Sequence, residues 1–168
     1  MSAPARRRRR ARAAAAAGVR LELRRRVRGW SPPAAELKRW ASAALGARAA
    51  GRELGVCVVG TRESARLNAR FRGRDGATNV LSFAPPLLPS AAAASAAPLG
   101  ELVVCAGVLR QEARAQVKTL RAHWAHLIVH GALHLAGYDH QRAADARRME
   151  RREIAVLRRL GFANPYRS

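Results

Sequence analysis

Three histidines toward the C-terminal end of the chain have a spacing that could hold a metal ion. His130, His134 and His140 lie in the segment HLIVHGALHLAGYDH and match the pattern H-x-x-x-H-x-x-G-x-x-H. On a helix the first two face the same side, and Gly137 would break the helix so that the third can return to them. Imidazole nitrogens bind zinc in a tetrahedron, and three protein ligands leave one position for water, as in catalytic zinc sites. We therefore predict a catalytic centre with one Zn²⁺ per chain.

The residue after the first histidine bears on the kind of reaction. A zinc peptidase carries a glutamate there as its general base, whereas this chain has Gly131. Hydrolysis of a phosphodiester makes a different demand, because negative charge builds on the phosphoryl oxygens and is stabilised by cations. A carboxylate beside the phosphate would repel it. The pattern therefore favours a nuclease, with a zinc peptidase as a less favoured alternative.

Two further residues in this region are candidates for supporting roles. Asp139, beside the last histidine, could orient a ligand or carry a proton, or it could cap the turn. His126 stands one helical turn before His130 and could support a ligand, contact the substrate or pack in the core. All five histidines of the chain fall within residues 123–140, which favours a shared site.

The charge of the chain predicts an anionic partner. Thirty-two lysines and arginines stand against eleven acidic residues, for a formal net charge of +21. A balance this basic suits nucleic acid or an anionic membrane surface, and a compositional preference for arginine does not explain the shortage of acids. Aromatic residues that could stack on bases are few, with Phe71 and Trp124 as candidates that could equally be core residues. Contact with single strands would then rest mainly on phosphates.

The chain has the organisation of one domain with a basic tail. Residues 1–18, rich in arginine and alanine, predict a disordered tail with nonspecific affinity for phosphate, although a transit peptide has a similar composition. Residues 19–168 predict a single domain, and the alanine-rich residues 88–98 predict a mobile connector within it. Cys57 and Cys105 each lie in an apolar run, which is typical of buried strands in a reducing compartment. No apolar window reaches 18 residues, so we expect a cytoplasmic protein without a membrane span.

Apolar patterning predicts the elements that position these residues. Strands are expected over residues 19–23, 53–60, 80–84 (ended by Pro85 and Pro86) and 99–107. Helices are expected over residues 34–47, 61–72, 108–137 (as one helix or two) and 144–161. In the last helix the expected apolar positions are Ala146, Met149, Ile154, Leu157 and Leu160. Strands and helices do not alternate strictly, which predicts an α+β fold with one mixed sheet.

Several blocks of the sequence, in order, resemble one family. LNARFRGRDGATNVLSF, LGELVVC, AHWAHLIVHGALHLAGYDH and DARRMERREIAVLRRLGFANPY are similar to the YbeY-type rRNA maturation factors, which are metal-dependent single-strand endoribonucleases. The resemblance covers roughly residues 19–166. It departs from the family pattern at Glu101, where an aspartate is usual, and at Ala84, where a proline is common. The alanine-rich insert and the arginine tail are further departures.

The resemblance implies zinc ligands at His130, His134 and His140 and a functional arginine at Arg72. It implies a zincin-like α+β fold. The implied activity is 16S rRNA 3′-end maturation and ribosome quality control on single-stranded RNA or rRNA, with the ribosomal small subunit or its proteins as partners. Arg72 would bind a phosphate oxygen, although among neighbouring arginines it could be a solvated charge.

A noncatalytic alternative stays open at this point. Composition shows only that the partner is anionic, so an RNA- or ribosome-binding assembly factor with a structural zinc would fit it as well. The open coordination position argues against a purely structural metal, because structural zinc usually has four protein ligands.

Overall fold

The computed structural model describes residues 18–85 and 97–167. Most of the predicted tail (1–18) and most of the predicted connector (88–98) lie outside these residues. Within them the chain forms four strands and five α-helices, and a short 3-10 helix (Gly46–Ala49) follows the first α-helix. In chain order they are β1 (Arg20–Arg25), α1 (Ala34–Leu45), β2 (Glu53–Val59), α2 (Thr61–Arg72), β3 (Val80–Phe83), β4 (Gly100–Cys105), α3 (Ala106–Ala115), α4 (Leu120–Leu135) and α5 (Ala143–Arg159).

The four strands form one mixed sheet with the order β1-β2-β4-β3. The pairs β1–β2 and β2–β4 are parallel, whereas β3 runs antiparallel to β4 at the edge. The two central strands are continuous apolar runs in the sequence because helices cover both of their faces. The predicted α+β class with one mixed sheet is confirmed.

Each face of the sheet has its own hydrophobic cluster. The larger cluster lies between the sheet and the helices α1, α4 and α5, and it includes Trp40, Leu102, Trp124 and Ile128, all fully buried. The smaller cluster lies on the opposite face and contains both free cysteines, which are buried as predicted. Trp124 is therefore a core residue and no stacking platform, whereas the Phe71 side chain is 55% exposed.

The segment expected as one helix or two is two, because the chain turns sharply before α4. Val117 has a φ of 53°, in the left-handed region that a β-branched residue rarely adopts. Thr119 then caps α4, since its Oγ1 accepts a hydrogen bond from the Ala122 N–H at 3.1 Å. This cap fixes where α4 begins, and therefore which side chains of α4 face the sheet and which face away from it.

Among the helices in the described ranges, none combines the length and the apolarity that crossing a bilayer requires.

Candidate metal centre

Helix α4 and the turn after it bring the three predicted ligands together. His130 and His134 are one turn apart on α4, and Gly137, with a φ of 93°, reverses the chain direction after the helix. The Nε2 of His134 lies 3.2 Å from the Nε2 of His130 and 3.0 Å from the Nδ1 of His140. Three ring nitrogens thus converge on one point from two short segments of the chain.

The spacing of these nitrogens fits a tetrahedral metal ion. Ligands at about 2.0–2.1 Å from zinc in a tetrahedron stand roughly 3.3 Å from one another. The two measured separations, 3.2 and 3.0 Å, are close to that edge length, and ring nitrogens of all three histidines lie within 4.8 Å of one another. The donor set is borderline in softness, which suits zinc among the divalent ions.

The site is open on one side and partly buried on the other. His140 is exposed, whereas His130 and His134 are half-buried. Burial lowers the pKa of His134, and the neighbouring His130 and His140 lower it further. The neutral imidazole is the form that binds metals, so the surroundings favour the state that ligation needs.

A buried carboxylate behind the ligands was missed by sequence reasoning. Glu153 on α5 is fully buried, and its Oε1 lies 2.5 Å from the Nδ1 of His130. Its Oε2 lies 3.2 Å from the Nε2 of His126 and also accepts a hydrogen bond from the Tyr166 hydroxyl. Burial by itself would raise the pKa of Glu153, but the hydrogen bonds from the two histidines and the tyrosine outweigh it and lower the pKa to about 2. The carboxylate is therefore ionised.

A signal for this carboxylate was present in the sequence. Glu153 stands four residues from both Met149 and Leu157, so it lies inside the apolar stripe of α5. The predicted stripe named Ile154 instead, which is only half-buried in the structure. An acid at a core position of a helix is rarely tolerated without partners. Tyr166, near the end of the chain, had no comparable signal.

Packing gives a second reason why position 131 is a glycine and not the glutamate of a zinc peptidase. Gly131 faces the sheet, and a Cβ built on it would lie 2.8 Å from the Cδ2 of the fully buried Leu102. The Ser82 Oγ of β3 donates to the Gly131 carbonyl at 3.4 Å. Helix α4 thus approaches the strands more closely than a side chain at this position would allow.

Arg72 stands on α2, a helix whose Leu67 packs against the sheet face opposite α4. It is the last residue of α2 and is exposed. Consecutive residues of β3 face opposite sides of the sheet, so Ser82 contacts α4 while Phe83 stacks edge-to-face on Phe71, at 5.1 Å between centroids. No hydrogen bond or ion pair in the described ranges joins Arg72 to the candidate ligands. Its role stays a prediction.

Asp139 and Glu101 have visible structural partners. The Oδ1 of Asp139 accepts the backbone N–H of His140 at 2.7 Å and that of Gln141 at 3.3 Å, so Asp139 caps the turn that delivers His140. Glu101 pairs with Arg24 on the sheet face opposite α4. The carboxylate at this departure from the family pattern is thus engaged away from the candidate ligands.

The chain is similar to known proteins over most of its length. The family model described as Endoribonuclease YbeY matches residues 30–161. A protein named Endoribonuclease YbeY from Methylococcus capsulatus is 48% identical over 149 residues, covering 89% of this chain and 96% of the relative. One of the same name from Bordetella pertussis is 51% identical over 141 residues, covering 80% of this chain and 87% of the relative.

A solved structure supports the fold. The solution structure of a Thermotoga maritima protein matches with a TM-score of 0.51 at 23% identity, covering 88% of this chain and 100% of that one. At this identity the likeness concerns the fold alone. The family match, by contrast, includes the three histidines and Glu153, whereas Tyr166 lies beyond it.

Proposed function

Because the chain belongs to the YbeY endoribonuclease family, we propose that it is a zinc-dependent endoribonuclease that cuts single-stranded RNA. Family membership makes the chain a nuclease that hydrolyses phosphodiester bonds. The proposed refinements are the zinc ion, the preference for single strands, and action in 16S rRNA 3′-end maturation and ribosome quality control. The observation that carries the proposal is the convergence of the His130, His134 and His140 ring nitrogens beside open solvent.

The residues around this point suit phosphodiester chemistry. A zinc ion held by the three histidines would polarise the scissile phosphate and make hydroxide available near neutral pH. Gly131 leaves the site without a carboxylate that would repel the phosphate. Arg72, at the end of α2 on the other sheet face, would bind a phosphate oxygen of the same RNA. Asp139, which caps the turn with one carboxylate oxygen, would use its exposed side chain to carry the proton.

Helix α2 offers a surface for the RNA. Arg62, Arg66 and Arg70 follow one another at intervals of four residues and are all exposed, so they form one basic stripe. Glu63 pairs with Arg66 at 3.8 Å, and the like charges that remain at this spacing repel one another. A phosphate backbone bound along the stripe would relieve that repulsion. The stripe leads to Phe71, whose exposed ring carries the Arg70 guanidinium at 5.2 Å from its centroid. Phosphate contacts beside an aromatic ring are the usual means of binding single strands.

The proposal extends to the domain organisation, the type of fold and the cellular setting. Residues 19–168 would act as one domain, and the arginines of residues 1–18 would add affinity for phosphate. The fold is zincin-like, with α4 as the metal-binding helix. The protein acts in the cytoplasm with the ribosomal small subunit or its proteins.

The test compares the wild type with His134→Ala in cleavage of a labelled single-stranded RNA, with zinc measured on both. We expect about one zinc per chain and cleavage in the wild type, and loss of both in the variant, because two ligands hold zinc poorly. Equal cleavage by the two proteins would identify the activity as contamination and favour a noncatalytic RNA-binding assembly factor.

Arg72→Ala separates a catalytic arginine from a structural one. We expect slower turnover with unchanged zinc content, because no hydrogen bond or ion pair in the described ranges joins Arg72 to the candidate ligands. Arg74→Ala, at an exposed position two residues away, is the matched control and should leave turnover close to that of the wild type. Loss of zinc or of folding in Arg72→Ala would contradict the catalytic assignment.

A further inference from the structure

We propose that Glu153 is a positioning residue of the metal centre, which holds His130 in the tautomer that presents its Nε2 lone pair to the metal. His126 and Tyr166 in turn hold the Glu153 carboxylate in place. This inference rests on the proposed function, since it requires the histidine cluster to bind a metal.

The tautomer follows from the geometry. A neutral imidazole carries one N–H, and the nitrogen that lacks it is the one that can bind a metal. The Nδ1 of His130 lies 2.5 Å from the Oε1 of Glu153, so the proton belongs on Nδ1, where it is donated to the carboxylate. The Nε2 of the same ring then faces His134 with its lone pair free. Without the carboxylate the two tautomers would compete, and one of them places a proton where the metal must bind.

The carboxylate has no freedom to turn away from His130. Its second oxygen accepts hydrogen bonds from the Nε2 of His126 and from the hydroxyl of Tyr166. The rings of His126 and Tyr166 pack edge-to-face at 5.4 Å between centroids. The segment that carries Tyr166 is tied down as well, since the Lys118 ammonium donates to the Pro165 carbonyl. The end of the chain thus completes the support of a ligand on α4.

A second metal ion in this position is the alternative that the geometry excludes. Ligand atoms of His126, His130 and Glu153 do lie within 4.8 Å of one another. However, atoms that share a zinc ion stand roughly 3.3 Å apart, and the 2.5 Å between the His130 Nδ1 and the Glu153 Oε1 leaves no room for an ion. The contact is a hydrogen bond.

The burial of Glu153 fits a positioning role. Its side chain is fully buried, and the hydrogen-bond partners of its two oxygens are two imidazoles and a phenol. A buried carboxylate needs such partners to hold it, and one of them, His130, is a candidate metal ligand. By linkage, the carboxylate then strengthens metal binding as much as the metal stabilises the carboxylate.

The experiment is a Glu153→Gln substitution, with zinc affinity measured by competition with a chelating dye in the absence of RNA. Loss of an outer carboxylate of this kind weakens metal binding about 10–100-fold, and we expect a loss in that range. Nitrogen-15 NMR of the metal-free proteins gives a second readout: His130 should be protonated at Nδ1 in the wild type and should populate both tautomers in the variant.

Glu112→Gln is the matched control. The Oε2 of Glu112 on α3 lies 2.7 Å from the Nε2 of His123 on α4. A carboxylate of another helix thus contacts a histidine of α4 here too, at a histidine that is not a candidate ligand. Zinc affinity should be unchanged in this variant. If it falls as much as in Glu153→Gln, the effect is a general loss of stability and the proposal is overturned.

Tyr166→Phe keeps the carboxylate and tests the same network should Glu153→Gln fail to fold. Zinc affinity should fall by less than in Glu153→Gln, with His130 still protonated at Nδ1. If Glu153→Gln and Tyr166→Phe bind zinc as tightly as the wild type while His134→Ala loses zinc, the positioning role of Glu153 is overturned. The proposed function is then unaffected. Wild-type zinc affinity in His134→Ala itself would instead overturn the metal centre and this inference with it.

Discussion

The close approach of α4 to the sheet can be tested by adding a single methyl group at Gly131. In Gly131→Ala the new Cβ would lie 2.8 Å from the Leu102 Cδ2 and 3.3 Å from the Ser82 Oγ. Carbon atoms pack best at about 3.5–4.0 Å, and Leu102 is fully buried. The leucine or the helix must therefore move, and the helix carries His130 next to the substituted residue.

Two effects of opposite sign set the expected magnitude. Overpacking a core costs about 1–3 kcal/mol, whereas alanine in place of glycine inside a helix gains about 1 kcal/mol. The net expectation is a loss of about 1 kcal/mol in the free energy of unfolding, or about 2–4 °C in Tm for a domain of this size. Helix propensity alone would shift both quantities the other way by a similar amount.

The measurement is urea-induced unfolding of the wild type, Gly131→Ala, Leu102→Ala and the double variant. Leu102→Ala alone should cost about 2–5 kcal/mol, because it opens a cavity. In that background the clash is gone, so Gly131→Ala should become stabilising, and the two substitutions should couple. A Gly131→Ala variant that is more stable than the wild type would refute the predicted clash. If the effects of Gly131→Ala and Leu102→Ala on the free energy of unfolding simply add, Leu102 is not the residue that clashes.

Three further predictions follow from the described residues. The first is a variant that combines Arg62→Gln, Arg66→Gln and Arg70→Gln, tested for single-stranded RNA binding by fluorescence anisotropy at several salt concentrations. The slope of log affinity against log salt should be shallower by about 2, since each phosphate contact contributes roughly 0.7. An unchanged slope would exclude α2 as the RNA surface. Burial lowers the pKa of His123 below its usual 6.5, so the unfolded chain takes up a proton more readily and stability should fall as the pH drops below 6.5. In urea titrations of the metal-free protein, His123→Gln should lose less unfolding free energy than the wild type as the pH falls. An equal loss in both proteins would show that His123 does not cause it. Burial raises the pKa of the Cys57 thiol, so a thiol reagent at neutral pH should label it far more slowly in the native protein than in urea; rapid native labelling would show that β2 is accessible.

The fold class could be predicted because apolar patterning is local. Two continuous apolar runs indicated central strands, and amphipathic stretches indicated helices around them. The break between α3 and α4 was left open because it depends on one residue, Val117, in a conformation that a β-branched side chain rarely adopts. The order of the strands could not be predicted, since register and pairing depend on which distant faces pack together.

The candidate site also has one part that the sequence predicted and one part that only the structure showed. The three histidines were identified from the sequence because they lie within eleven consecutive positions with Gly137 among them, where helix geometry and one turn bring them near one another. Glu153 was missed because its partner His130 lies on another helix. The sequence placed Glu153 in line with Met149 and Leu157, but only the packing of α5 against α4 showed which partners its carboxylate has.

The sequence by itself determined the family, the α+β class and the spacing of the three histidines, because each depends on residue types at short separations along the chain. Only the tertiary structure decided that Gly131 faces Leu102, that the helix of Arg72 packs on the sheet face opposite α4, and that Glu153 contacts both His130 and Tyr166. These relations join residues that are distant in sequence, and they exist only once burial of apolar surface has brought the helices and the sheet together.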